Sequence, residues 1–160
     1  MQINRVNRGD FEQVFITVLN AEGGATPNLV LEPGKVVQYV LGTNATQAAG
    51  VAVKLQASAV NLTAVTAKVA GVVPVGGTIS TGAVGVIQVF GYHGAVRASA
   101  SLASGRMVVA GSINATNIGH VDVASQSTLT APEYLGQMVG WTVEDSANAT
   151  NAKVHISGLL

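Results

Sequence analysis

Short runs in which apolar and polar residues alternate recur along this chain. In residues 51–55 (VAVKL) the valines and the leucine occupy alternate positions, and Lys54 falls on the opposite face. In residues 96–101 (VRASAS) valine and alanine alternate with arginine and serine. A period of two residues is typical of a strand with one buried face. The pattern therefore predicts β-sheet.

Several segments combine such runs with β-branched residues and end at Gly, Pro, Asn or Ser, as strands and their turns do. No long segment repeats apolar residues at i, i+3, i+4 and i+7, as an amphipathic helix would. The alanine-rich segment 57–70 is also compatible with a short helix. We expect an all-β fold, a small β-barrel or sandwich of short antiparallel strands, with strands at residues 14–19, 35–41, 51–57, 84–90, 96–101, 106–110, 120–123, 139–144 and 153–156.

A unit of strand, polar loop and strand repeats along the chain. Residues 31–37 (LEPGKVV) resemble residues 102–108 (LASGRMV), and each copy is followed by Asn-Ala-Thr and a further valine-rich segment. A third, partial copy spans residues 139–156. The repetition predicts that one supersecondary unit is used three times. Chance similarity between short turns in a chain rich in Val, Thr and Asn is the alternative.

The length of the chain and its first residues indicate the domain organisation. A chain of 160 residues suits one domain with a real core. Residues 1–10 are polar, contain Arg5 and Arg8, and have only isolated apolar positions. We predict an extended N-terminal arm over residues 1–10 and a single β domain over residues 11–160. The arm would dock on a neighbouring molecule, and a disordered tail is the alternative.

The chain has few charges, and they are unevenly distributed. Charged residues make up 10% of the sequence, against roughly a quarter in an average domain. Residues 33–121 contain no Asp or Glu, whereas the flanking segments are net acidic. Such a surface indicates partial coverage by other proteins. Direct nucleic-acid binding is disfavoured, because the basic residues of the central segment are single and not interleaved with aromatic residues: Lys35, Lys54, Lys68, Arg97 and Arg106.

The sequence also limits the cellular context. Cysteine is absent, so disulfides and thiolate metal sites are excluded. The polar first ten residues lack the apolar region of a secretory signal. The longest uncharged segment, residues 69–96, contains seven glycines and a proline, which is not typical of a transmembrane helix. We expect a soluble protein made in the cytoplasm, with no membrane partner.

Residues suited to acid-base or metal chemistry are few. His120 and Asp122 would share a strand face, but a metal site needs a third convergent ligand, and no common ligand motif is present. Glu144 and Asp145 are adjacent and would point to opposite sides of a strand, so they do not form a catalytic pair. His93, in the segment GYHG, is expected in a turn. We predict no catalytic residue, metal or cofactor; an enzyme built on His120 and Asp122 is the least supported alternative.

Aromatic residues are sparse, and only Tyr92 and Trp141 are candidate platforms for a sugar ring. In the predicted strand, alternation places Trp141 on the same face as Val139 and Val143. We therefore expect Trp141 to anchor the core. Exposure of Tyr92 or Trp141 would instead favour a carbohydrate-binding or adhesive β module on a virion or cell surface, which is the alternative function.

Four segments of the C-terminal third form a recognisable pattern: GRMVV at 105–109, HVDV at 120–123, GQMVGWTVEDSA at 136–147 and KVHI at 153–156. Together they resemble tailed-phage head decoration (capsid cement) proteins of small β-barrel type. The N-terminal run GDFEQVF also looks like the arm of some of these proteins, and with it the candidate partner-contact residues are Arg5, Arg8, Phe11 and Phe15. Where related chains often have an Ala-Gly-rich closing turn, this chain has the longer loop NATN.

The resemblance implies a non-enzymatic structural protein that binds and stabilises a viral capsid lattice. Its partner would be the major capsid protein or a similar protein lattice, and its location the capsid exterior of the virion, after synthesis in the host cytoplasm. Such proteins are often trimers at symmetry axes of the shell, so a homo-oligomer, with a trimer favoured, is the expected assembly.

Overall fold

The computed structural model describes residues 4–6 (backbone only), 12–22, 30–40, 52–55, 68–110, 118–123, 138–146 and 151–157. These residues include strands and turns and no helix, which confirms the predicted all-β class. The strands are β1 (Asn4–Val6), β2 (Gln13–Asn20), β3 (Val36–Tyr39), β4 (Ala52–Leu55), β5 (Val69–Val72), β6 (Val84–Arg97), β7 (Met107–Ala110), β8 (Val121–Val123), β9 (Met138–Thr142) and β10 (Asn151–Ile156).

Five strands close into a small barrel in the order β2-β4-β3-β5-β6, because β6 pairs back onto β2. The pairings are antiparallel except that of β2 with β4, which is parallel. Closure removes the free strand edges that an open sheet would expose. The barrel interior is filled by Ile16, Val18, Leu31, Val37, Val53, Leu55, Ala70, Val73, Ile79, Ile87 and Val89.

Strand β6 belongs to two sheets. Its first half, up to Phe90, pairs with β2, and from Gly91 onward it pairs with β10. Gly91 has a φ of 95°, and the carbonyl oxygen of Glu12 lies where a Cβ would be. Only glycine permits this conformation and this approach without strain. Gly91 therefore lets β6 leave the barrel and become part of a second sheet, in the order β6-β10-β9-β7-β8.

The inner face of the second sheet packs on the outside of the barrel. Val36 and Val37 in β3 are both fully buried but point to opposite sides, Val37 into the barrel and Val36 toward the second sheet. In β5, Val69 and Val72 both face the second sheet, whereas Ala70 between them faces the barrel interior. The fold thus has two cores that share the wall formed by β3 and β5. The second core contains Val36, Val69, Val72, Val96, Ala98, Leu102, Val108, Ala110, Val121, Val139, Ala152, Val154 and Ile156.

Three antiparallel pairs follow the predicted internal repeat: β3 with β4, β7 with β8, and β9 with β10. In the first two copies a buried leucine, Leu31 or Leu102, precedes a turn, and the glycine of that turn, Gly34 or Gly105, has a positive φ. The structure therefore confirms a repeated unit. The Asn-Ala-Thr segments that connect these strands lie outside the described residues.

The prediction that His93 lies in a turn is wrong. The structure has one 14-residue strand where two strands separated by a turn were expected, and His93 is buried within it. The flanking glycines have other roles: Gly91 marks the departure from the barrel, and Gly94 lies where the pairing of β6 with β10 shifts register. The segment 57–70, where a helix was considered, ends in β5, and residues 57–67 lie outside the described part.

The described part of the predicted arm is a short edge strand. Residues Asn4–Val6 pair antiparallel with β2, and Asn4 lies opposite Phe15. Residues 1–3 and 7–11 lie outside the described residues. Docking of the arm on a neighbouring molecule therefore stays a prediction.

Candidate functional site

Four side chains form a row across the outer face of the second sheet. Tyr92 lies opposite His155, His155 opposite Trp141, and Trp141 opposite Met107. These residues belong to four successive strands, which are about 4.8 Å apart in a sheet, so the row is about 14 Å long. We call these four residues the outer row.

Trp141 is 46% exposed, so the prediction that it anchors the core is wrong. The cause is an irregularity in the pairing of β7 with β9, where the register skips Val139. A residue inserted in this way shifts the alternation of the strand by one position. Val139 consequently remains buried, whereas Trp141 and Val143 face outward.

The rings of the outer row contact one another closely. The imidazole of His155 stacks on the indole of Trp141 with an interplanar angle of 2° and a centroid distance of 5.0 Å. Phe90 meets the same imidazole edge to face, with centroids 5.4 Å apart. These contacts hold His155 between two aromatic rings and support one face of the indole. The rest of the Trp141 side chain is exposed to solvent, and these contacts fix its orientation.

A cleft of about 570 Å³ opens beside the outer row. This volume lies within the range typical of small-molecule sites. Gly105, with a φ of 70° and no atom within 4 Å of the position of a Cβ, keeps one side of the cleft open. The cleft is lined by Tyr92, Ser104, Gly105, Trp141, Thr142, Val143 and His155.

Hydrogen bonds hold the turn at residues 103–106 in place beside the cleft. The hydroxyl of Thr142 donates to the carbonyl oxygen of Ala103 at 2.6 Å and accepts from the backbone N–H of Arg106 at 2.9 Å. The carboxylate of Asp145 accepts from the backbone N–H of Ser104 at 2.6 Å. This bond lowers the pKa of Asp145, because it stabilises the ionised carboxylate.

An ion pair lies close to the cleft. The Lys153 ammonium is 2.6 Å from the Glu144 carboxylate, and both side chains are about half exposed. The hydrogen bond to Glu144 raises the pKa of Lys153, and the nearby Tyr92 contributes in the same direction. Glu144 and Asp145 therefore have different partners.

The candidate contact residues of the N-terminal segment lie elsewhere. Arg5 is in β1, with its backbone opposite Val14 in β2. Arg8 and Phe11 lie outside the described residues. Phe15 is half-buried on the outer wall of the barrel, opposite Gln88 of β6.

Phe15 shares this wall with exposed apolar residues that the sequence analysis did not single out. Thr17 lies opposite Val86, and Leu19 opposite Val84, on the face that points away from the barrel interior. Val84 is 68% exposed and Val86 is 43% exposed. We call Phe15, Thr17, Leu19, Val84 and Val86 the barrel patch.

His120 and Asp122 do not form the core of a metal site in the described structure. One carboxylate oxygen of Asp122 accepts a hydrogen bond from the backbone N–H of Val123 at 2.7 Å. Burial lowers the pKa of His120, and the nearby Lys35 lowers it further. Within the described ranges, no group of three or more His, Cys, Asp or Glu side chains is arranged to hold a metal ion.

His93 has a structural position. Its Nε2 lies 3.0 Å from the carbonyl oxygen of Val73, and its Nδ1 lies 3.2 Å from the backbone nitrogen of Ala95. The Ala95 N–H donates to Nδ1, so the proton of a neutral ring is on Nε2 and is donated to Val73. Burial lowers the pKa of His93, which favours this neutral form. The ring thus ties the end of β5 to the part of β6 that lies in the second sheet.

Comparisons of the chain with models of known families, with curated proteins and with solved structures give no match. In the part of the chain that the structure describes, no helix is long and apolar enough to cross a membrane. Tyr92 and Trp141 can be recognised as candidates from the sequence, but Met107 and His155 cannot, because their place in the row depends on the register of four strands.

Proposed function

We propose that this protein is a non-enzymatic structural protein that binds and stabilises a viral capsid lattice, as a decoration or cement protein does. The barrel patch is the observation that carries this proposal. Val84 and Val86 expose apolar surface on a regular strand beside Phe15, a residue that the resemblance also implicates. Exposed apolar residues grouped in this way typically belong to protein contacts.

Because the chain has few charges, its contact with a lattice would consist mainly of apolar surface. The affinity of one copy would be modest, and the affinity of many copies in an array would be high. Buried apolar surface contributes about 25 cal/mol per Å², before the cost of association is subtracted. Repeated contacts on a lattice then raise the overall affinity. A homo-oligomer, with a trimer expected, would present several barrel patches to the major capsid protein or a similar lattice on the capsid exterior.

The test uses virus particles purified from a culture that produces the protein. Antibody labelling in electron microscopy is expected on the capsid exterior, and light scattering of the purified protein is expected to give a trimer. Particles stripped of the protein are then incubated with wild-type protein, the Val84→Lys variant or a variant lacking residues 1–10. In co-sedimentation, both variants are expected to rebind roughly tenfold more weakly, as for loss of a contact hot spot.

The matched control is Val75→Lys, which places the same charge on a valine that is 67% exposed in the turn after β5. This variant is expected to rebind like the wild type. Absence of the protein from the particles would contradict the proposal. Equal rebinding of wild type and Val84→Lys would contradict the role of the barrel patch, and undiminished rebinding after truncation would contradict the role of the arm.

A second candidate function is a carbohydrate-binding or adhesive β module on a virion or cell surface. The specific observation in its favour is the exposure of Trp141, which lines the cleft together with Tyr92. Tryptophan offers a large apolar face and a polar N–H, a combination suited to sugar rings. Binding on a glycan array would support this function, and a complete lack of binding would set it aside.

A further inference from the structure

We propose that the cleft beside the outer row binds a neutral oligosaccharide, with one pyranose ring packed against Trp141. This inference rests on the second candidate function and specifies its site and its class of ligand. The lattice-binding proposal uses the barrel patch on β2 and β6 and is independent of it.

The aromatic residues provide the apolar contact that a sugar ring requires. The carbon-bound hydrogens of a pyranose form an apolar face that packs on the electron-rich face of an aromatic ring. His155 supports the indole from one side at a centroid distance of 5.0 Å, so the Trp141 side chain is already held in place before a ligand binds. A preformed contact of this kind avoids part of the entropic cost of binding.

The shape of the site fits an extended chain of sugars. Tyr92, at one end of the outer row, lies two strands away from Trp141, and both line the same cleft. Neighbouring strands are about 4.8 Å apart, so the backbones of Tyr92 and Trp141 are about 10 Å apart across the sheet. A ligand of more than one ring can therefore cover Trp141 and extend past His155 toward Tyr92.

The polar groups near the cleft suit hydroxyl groups. A sugar hydroxyl both donates and accepts hydrogen bonds, and the Lys153–Glu144 pair offers donors and acceptors 2.6 Å apart. Ser104 adds a further hydroxyl to the lining. Lys153 has Glu144 as its partner, and the Asp145 carboxylate accepts from the backbone of Ser104. Because Glu144 compensates the charge of Lys153 and Asp145 remains ionised, these groups favour a neutral sugar over an acidic one.

A protein partner is the competing occupant. A dry protein contact that covered both the cleft and the neighbouring Lys153–Glu144 pair would remove these two charges from water, which is costly. A sugar keeps these groups hydrogen-bonded while it covers the indole. The mixture of an aromatic wall and a polar rim therefore favours the oligosaccharide.

The chain contains one tryptophan, so its intrinsic fluorescence reports directly on the cleft. The experiment titrates the full-length protein with cellohexaose, chitohexaose and mannohexaose, and with an oligogalacturonate as the acidic comparison. We expect at least one neutral hexasaccharide to cause a saturable change in the emission of Trp141, with a weaker response to the oligogalacturonate. The variants Glu144→Gln and Lys153→Met retain Trp141 as the fluorescent probe. Each is expected to raise the Kd of the neutral hexasaccharide about tenfold, as for loss of a hydrogen bond to a charged group.

The matched control is Val84→Lys, which changes the barrel patch and is expected to leave sugar binding unchanged. A glycan-array comparison of wild type with Trp141→Ala separates the possible failures. If both proteins bind a glycan equally well, the sugar site is not this cleft, but the carbohydrate-binding function itself is still supported. If no glycan binds in the array and no sugar changes the fluorescence, both the sugar site and the carbohydrate-binding function are overturned. If capsid shells change the fluorescence and none of the sugars does, the cleft belongs to a protein partner, which also overturns the inference.

Discussion

Trp141 and His155 lie opposite each other on neighbouring strands, and their rings stack with an interplanar angle of 2°. The stack joins β9 to β10 on the outer face of the second sheet. A cross-strand aromatic pair contributes about 0.5–1.5 kcal/mol beyond the burial of its area. The pair therefore stabilises the sheet slightly while it holds an exposed indole in a fixed position.

The first prediction compares the loss of stability when Trp141 on the surface is truncated with the loss when a core residue is truncated. Trp141→Ala is expected to lower the free energy of unfolding by only about 1 kcal/mol, because the side chain is half exposed and mainly loses its contact with His155. Ile156→Ala is expected to cost about 2–5 kcal/mol, because it leaves a cavity in the second core. Chemical denaturation of both variants measures the difference. Equal losses would contradict the exposed position of Trp141.

The second prediction concerns the departure of β6 from the barrel. Gly91→Ala is expected to destabilise the protein by about 3–5 kcal/mol, because the new Cβ would collide with the carbonyl oxygen of Glu12 at a positive φ. Gly82→Ala is the matched control: its φ of 73° is also positive, but no atom lies within 4 Å of the Cβ position. It is expected to cost about 1–2 kcal/mol from backbone strain alone. Thermal and urea unfolding compare the two, and a loss for Gly91→Ala no larger than that for Gly82→Ala would argue against the close approach.

The third prediction is a dependence of stability on pH through His93. Burial lowers the pKa of His93 below its usual value of 6.5, so the unfolded chain binds a proton more readily than the folded protein. The contribution of His93 is therefore fully present above about pH 6.5 and is lost as the pH falls below that value. His120, whose pKa is also lowered, acts in the same direction.

Urea unfolding at a series of pH values measures this effect. The free energy of unfolding of the wild type is expected to decrease from about pH 7 to pH 5 more steeply than that of His93→Gln, which cannot take up this proton. The variant is also expected to be less stable at neutral pH, because the Ala95 N–H loses its imidazole acceptor. Parallel pH curves would show that His93 does not supply the difference.

The fourth prediction concerns the turn beside the cleft. Asp145→Asn is expected to weaken the hydrogen bond from the Ser104 backbone N–H, because a neutral amide oxygen is a poorer acceptor than a carboxylate. Amide hydrogen exchange at Ser104, followed by NMR, should become faster. In the wild type, NMR titration should give Asp145 a pKa below its usual 3.8. Unchanged exchange in the variant would mean that other contacts hold the turn.

Much of the strand content could be predicted from local patterns. Alternating residues such as Val53, Lys54 and Leu55 showed which positions of β4 face the core, because the period of two is a local property of an extended chain. The repeat that begins at Leu31 and Leu102 was also visible, since a buried leucine, a turn glycine and a strand lie within seven residues. The aromatic site was only half predicted. Trp141 was recognised as a candidate platform for a sugar, but it was wrongly expected on the core face of its strand.

The sequence by itself determined the all-β fold class, the low charge content and the small set of reactive side chains, and it indicated three repeated strand pairs. These features depend on residue type and on spacing over a few positions. The tertiary structure alone decided that Gly91 carries β6 into a second sheet, that the skipped Val139 turns Trp141 outward, and that Tyr92, His155, Trp141 and Met107 align. Register between strands far apart in the chain depends on bulges and on the packing of two cores around one shared wall, and no local pattern contains that information.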